Sequence, residues 1–257
     1  MRSNAWAREQ LLVAFNLYCQ LPFGKMHSKN PAIIKVAELL HRTPSALAMK
    51  LVNFASLDPA ITGSGRSGLG NSSNADREIW NEFHADWDAL AVESQSIVDS
   101  IALQDVPELA SEVKEDVAQY FVGETRQVQT EQRVRQSFFR KAVLTNYGGE
   151  CCITGLSEPR LLIASHIVPW SEDRNNRLNP HNGLSLSALH DRAYDLGLLT
   201  IRPDLKVRVS KELDGLVNNK FAKNALLQVD GKEIRAALKF RPDPEFLDWH
   251  QAKIFLG

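Results

Sequence analysis

His166, Asn182 and His190 fall within one short stretch, residues 151–201 of this 257-residue chain, and their types suit phosphodiester hydrolysis. That reaction needs a deprotonated water and something to absorb charge on the phosphate and the leaving oxygen. A neutral imidazole is a suitable general base near neutral pH. A bound divalent cation supplies charge stabilisation. An Asn amide both donates and accepts hydrogen bonds, so Asn182 can tie a loop closed and hold a base in place.

The surrounding sequence supplies elements to carry these groups. His166 ends the apolar run LLIASH, which reads as a strand, and Pro169 follows where the strand turns into a loop. The loop SEDRNNRLNPHNG contains Asn182 and leads into a second short apolar segment, LSLS. Ser187 is a good N-cap for a helix carrying His190, and Gly197 is placed to end it. His181 is expected as a loop residue. Beyond the stretch, LLTIRPDLKVRVS alternates around Pro203 and Asp204 and predicts a hairpin. The ending RPDPEFLDWHQAKIF predicts a closing helix.

Four blocks in order carry a resemblance: Cys152 to Gly155, His166 to Trp170 (HIVPW), Asn182 to Leu186 (NGLSL), and His190 through Asp195 to Gly197. They resemble the HNH endonuclease family, and within it a subgroup of predicted restriction endonucleases. The resemblance covers about a fifth of the chain. It implies a β-hairpin followed by a helix, the ββα-metal finger. It also implies that His166 is the general base, that Asn182 positions the base's loop, and that His190 is a helix-borne metal ligand. One divalent cation per site follows, Mg²⁺ or Mn²⁺ first, with Ni²⁺, Co²⁺ or Zn²⁺ as alternatives. The implied products are 5′-phosphate and 3′-hydroxyl ends.

The chain departs from the family in two places. Many members put Asp or His immediately before the base as a second ligand; this chain has Ser165. A neutral hydroxyl is a poor sole partner for a hard cation, so Asp191 or Asp195 is expected to help. Asp195 lies about 140° around an ideal helix from His190, so ligation shared by those two needs distortion or the helix end. The family's frequent zinc-binding CxxC pairs are also absent. Apolar packing by Ile153, Leu161, Leu162, Ile163, Ile167 and Trp170 is expected to hold the hairpin instead.

The N-terminal part reads as helical. Helical spacing runs over 4–19; Pro31 opens a second helix over 31–40, and Thr43 and Pro44 cap and open a third to about Ala55. The short connection between the last two suggests a helix-turn-helix, with Arg42, Ser45, Lys50 and Asn53 as candidates to face a DNA groove. A Gly/Ser/Asn-rich segment, 62–75, follows as a loop or linker, with Arg66 in it. An acidic helical stretch then runs to about Tyr120. Residues 124–146 are basic and amphipathic, and Arg133, Arg135, Arg140 and Lys141 are candidates to track phosphates.

The near-neutral total charge of −1 hides segregation: +5 over 1–75, −11 over 76–125 and +5 over 126–257. Either basic end suits phosphate; the middle does not. No apolar run approaches the ~20 residues of a membrane span, and the first residues read as a mature helix. Three sparse cysteines, Cys19, Cys151 and Cys152, fit a reducing cytoplasm without a disulfide framework.

The expectation is therefore an α+β chain: a mostly helical, DNA-reading domain over 1–120 and an HNH nuclease domain over 121–257, its ββα core at about 150–201. The expected activity is metal-dependent cleavage of double-stranded DNA, of a restriction type and possible dependence on a modified base. One finger cuts one strand, so a double-strand break calls for a homodimer or two sequential nicks. The alternative is a DNA-binding regulator built on an inactive HNH fold.

Overall fold

A computed structural model of the chain describes residues 5–65, 70–105 and 126–257. The contacts divide it into two compact units, Met1–Phe138 and Phe139–Gly257. The expected boundary near residue 120, the end of the acidic stretch and Arg66 all lie outside the described residues. Among those residues no helix is long and apolar enough to cross a membrane.

The first unit is helical, as its periodicity predicts. Helices α1 (Arg8–Gln20), α2 (Pro31–Leu39), α3 (Pro44–Ala55), α4 (Pro59–Thr62), α5 (Asn74–Ala85) and α6 (Trp87–Asp105) follow in order. Their starts are written in side chains. Asn30 accepts from the Ala32 amide at 2.9 Å and Thr43 from the Ala46 amide at 3.2 Å, each ahead of a proline in the first turn. Ser73 and Asp76 form a reciprocal capping box at the start of α5. Phe15 of α1 centres the core, with ring centroids of Phe83 at 4.6 Å, Phe54 at 5.0 Å and Trp80 at 5.5 Å. Edge-on and tilted rings of this kind fill a core while satisfying the aromatic quadrupole.

Helix α7 (Arg126–Asn146) contains the division between the units. The second unit is α+β. Strands β1 (Leu162–His166) and β2 (Gly183–Ser187) pair antiparallel, with Leu162 opposite Ser187 and His166 opposite Gly183. Helix α8 (Ala188–Asp195) follows β2 without a break, its first turn capped by Ser187. This is the expected ββα order. Strands β3 (Leu199–Ile201) and β4 (Val207–Val209) make the second predicted hairpin. Helix α9 (Lys220–Ala225) and the closing helix α10 (Pro244–Lys253) complete the unit; α10 packs on β3.

The hairpin's packing differs from expectation at two positions. Leu162 and Ile167 are fully buried, but Leu161 is 51% exposed and Ile163 36%. Side chains alternate across a strand, so burying Leu162 turns Ile163 to the other face of a two-stranded sheet. Gly197 ends α8 as expected, at φ +70°, and a Cβ there would run into the Ile254 carbonyl. Glycine is required at that position on both counts.

Candidate active site

Strand β1 delivers His166 to its own end, opposite Gly183. The imidazole lies flat on Phe139, with centroids 3.9 Å apart and planes within 5°. Trp170 meets it edge-on at 5.6 Å. A Cβ at Gly183 would run into Val143 Cγ2 and sit 3.1 Å from Phe139 Cζ, so glycine is what lets α7 come this close. Nε2 of His166 donates to the Arg177 carbonyl at 2.8 Å. A carbonyl only accepts, so Nε2 carries the proton and Nδ1 keeps its lone pair. Among the described residues nothing bonds to Nδ1. Burial pushes the His166 pKa below the usual imidazole value; the Arg177 charge adds to this, and the bond to the Arg177 carbonyl opposes it. At neutral pH the ring is a neutral base with one nitrogen available.

Asn182 ties the loop as its chemistry predicts. It is fully buried. Its Oδ1 accepts from the Val168 amide at 2.8 Å; its Nδ2 donates to the Val168 carbonyl at 3.1 Å and the Asn176 carbonyl at 3.2 Å. The backbone of Asn182 also accepts from the Ile167 amide at 3.0 Å. The two ends of the loop are thereby joined one and two residues beyond His166.

His190 is enclosed, 2% exposed. Its Nε2 donates to the Ala225 carbonyl at 2.9 Å, which leaves Nδ1 to accept from the Ser187 hydroxyl at 2.7 Å. Both ring nitrogens are engaged inside the protein. The ring also borders Cys151: burial raises that thiol, but the neighbouring His190 ring and hydrogen bonding by Thr154 outweigh it and bring the pKa down to about 6. Cys152, buried beside it, is pushed up by burial and by Cys151.

Two oxygen donors sit on α8 itself, Asp191 in its first turn and Asp195 at its end. Asp191 and Asp195 are one turn apart and share a face. Burial raises the Asp191 carboxyl, against a lowering by the Ser165 hydroxyl and Arg192. Burial also raises Asp195, and the charge of Asp191 adds to it. Ser165, 3% exposed, sets its hydroxyl near Asp191 without completing a well-aligned hydrogen bond. A buried hydroxyl beside the Asp191 carboxyl, with Asp195 one turn further along and raised by the charge of Asp191, suits a hard cation held through oxygen. Among the described residues no three of His, Cys, Asp and Glu gather as a metal cluster.

The candidate DNA contacts separate. Lys50 is buried at 7% exposure and pairs with fully buried Asp76 at 2.7 Å, so it is a core ion pair of the first unit rather than a groove contact. Arg42 donates to Gln10 Oε1 at 2.8 Å and to the Ala5 carbonyl and lies over Trp6, fastening α1. Ser45 is exposed and Asn53 half-buried; between them α3 shows Met49. On α7, Arg133 and Lys141 are exposed. Arg135 pairs with Asp88 at 2.8 Å, and Arg140 donates to the Leu162 and Pro159 carbonyls at 2.8 and 2.9 Å, bracing the entry to β1.

Sequence reading missed Arg177 and the Phe139 ring stacked on His166. Nothing in residue type marks a backbone carbonyl as the partner that sets a tautomer. Phe139 is visible only as an apolar helix position.

Residues 151–202 match the family model for HNH endonuclease. This segment is an HNH domain. No curated protein matches the chain. The HNH domain contains β1, β2 and α8 and all of His166, Asn182 and His190. Its presence supports nuclease activity, with DNA as the substrate and a divalent metal as the usual partner of such domains.

Proposed function

We propose that the chain is a metal-dependent DNA endonuclease in which His166 is the general base. The observation that carries this reading is the imidazole of the HNH domain, fixed through Nε2 and open at Nδ1. In hydrolysis, a water oxygen bonds to phosphorus and gives its proton to His166 Nδ1. The bond from phosphorus to the 3′-oxygen breaks, and that oxygen leaves with the electron pair and takes a proton from solvent. Asn182 keeps the loop, and with it the Arg177 carbonyl, where the base needs it.

Asp191, Asp195 and Ser165 would hold the divalent cation, Mg²⁺ or Mn²⁺ by the hardness of these oxygens. That cation supplies charge stabilisation at the phosphate. His190, engaged at both nitrogens, then braces α8 from behind instead of ligating. In the same reading the helical first unit selects the DNA, through Ser45 and Asn53, while Arg133 and Lys141 meet phosphates. A restriction-type enzyme, with a modified base as the selected feature, is the form this organisation favours.

The test is cleavage of plasmids bearing different methylation patterns, with Mg²⁺ or Mn²⁺, by the wild-type chain and His166→Ala. Metal-dependent cutting lost in the variant is the expected result, and the plasmid that is cut identifies what the first unit reads. Binding without cutting, unchanged by His166→Ala, would replace this reading with a DNA-binding regulator on an inactive HNH fold.

A further inference from the structure

The loop between β1 and β2 carries two arginines, Arg174, which is exposed, and Arg177, which is held against Trp170. Arg177 is half-buried, seven residues beyond Trp170. Its Nε donates to the Trp170 carbonyl at 2.8 Å, and its guanidinium carbon lies 4.9 Å from the centroid of the Trp170 ring. Trp170 in turn stands edge-on to His166, and the Arg177 carbonyl accepts the His166 Nε2 proton. One residue thus fixes the base through its backbone and sets a guanidinium beside it through its side chain. Nη1 and Nη2 have no hydrogen-bond or ion-pair partner among the described residues.

A guanidinium carries five N–H donors in a rigid fork that matches phosphate oxygens in pairs. Here one donor is used, and it is used to aim the remaining four. The Trp170 face adds a second restraint, so little side-chain freedom remains to be lost on binding. A structural arginine spends its fork on protein acceptors, as Arg140 does on the Leu162 and Pro159 carbonyls. Arg177 does not.

We infer that Arg177 is the phosphate clamp of this site, its Nη1 and Nη2 taking the non-bridging oxygens of the phosphodiester presented to His166. This rests on the nuclease reading above. The clamp orients phosphorus toward the water at Nδ1 and meets the charge that builds on those oxygens during attack. Interactions of that kind are made most strongly in the transition state, so they act on kcat more than on KM.

The experiment uses the full chain with Arg177→Ala, Arg177→Lys and His166→Ala, on plasmid DNA and on bis(p-nitrophenyl) phosphate, a phosphodiester with no groove and no bases. Arg177→Ala is expected to lower kcat on both substrates by roughly 100-fold or more. Lysine should restore part of the loss, because it brings a charge without the fork. Millimolar methylguanidine should restore activity to the alanine variant and leave His166→Ala unchanged. Wild-type rates in Arg177→Ala would overturn the inference. So would a loss that neither lysine nor methylguanidine relieves, since it would show a purely structural role. If the wild-type chain cuts neither substrate with any metal, it is the nuclease reading that fails, and this inference fails with it.

Discussion

His166 and His190 each give the Nε2 proton to a backbone carbonyl, at 2.8 Å to Arg177 and 2.9 Å to Ala225. The same bond fixes the same tautomer in both rings. What differs is the other nitrogen. Ser187 occupies Nδ1 of His190 at 2.7 Å, whereas Nδ1 of His166 has no partner among the described residues. Two histidines of one motif, 24 positions apart by their numbering, are thus prepared for different work. One is closed on every side and holds α8 against the chain that leads to Ala225. The other is gripped on one face and one nitrogen and presents the second. Identity of residue type says little here; the count of engaged ring nitrogens says most.

Substitution separates the two most sharply. His166→Ala should reduce cleavage by about 1,000-fold at a cost of only about 1 kcal/mol in stability, since loss of a general base costs roughly 10² to 10⁴ in rate and the ring makes one carbonyl bond. Single-turnover cleavage beside a thermal melt checks both halves. Asn182→Ala should be costly to the fold. It strips the buried Val168 amide of its partner and leaves two carbonyls unmet, for a loss of about 3 kcal/mol. Denaturant titration reads that directly, and an unchanged midpoint would remove Asn182 from the role assigned to it. His190→Ala should behave as the mirror image of His166→Ala. About 2 kcal/mol of stability goes with its two buried hydrogen bonds, while the molecules that remain folded retain most of their activity. Full stability with abolished cutting would instead make His190 a ligand and collapse the comparison.

A third enclosed histidine extends the contrast to pH. His250 stacks on Tyr194 at 3.6 Å, bonds Thr200 at 2.8 Å through Nδ1 and donates to the Tyr194 carbonyl at 3.2 Å. Burial brings its pKa down to about 4, and the bond to the Tyr194 carbonyl offsets this only in part. The unfolded chain takes up this proton near the ordinary imidazole value of about 6.5, the folded chain only near 4, so stability falls as pH drops through that window. The loss should reach about 3 kcal/mol between pH 7 and pH 4. His250→Gln should flatten that part of the pH–stability curve; an equal slope in the variant would assign the effect elsewhere.

Much of the fold was legible because it is local. Pro31, Thr43 and Ser187 announce helix starts close by, and the alternation around Pro203 and Asp204 announces a hairpin. The motif placed His166 at a strand end and His190 on a helix for the same reason. What could not be read was each donor's partner. Lys50 meets Asp76 from 26 positions away, Arg140 meets the Leu162 carbonyl from 22, and His190 meets the Ala225 carbonyl from 35. A charge on a helix looks like a surface charge until packing brings an acceptor to it. Backbone carbonyls have no sequence signature at all, and they decide both tautomers.

The bond from His166 to the Arg177 carbonyl has one more result. It closes the far side of the ring, so a proton that enters at Nδ1 cannot be relayed onward through Nε2. The imidazole is a cul-de-sac. In the proposed cutting cycle each proton would leave by the door it came in, on the side where the severed strand would lie. The base would be reset only when solvent returned to it, so departure of the cut end and recovery of the base would become a single event.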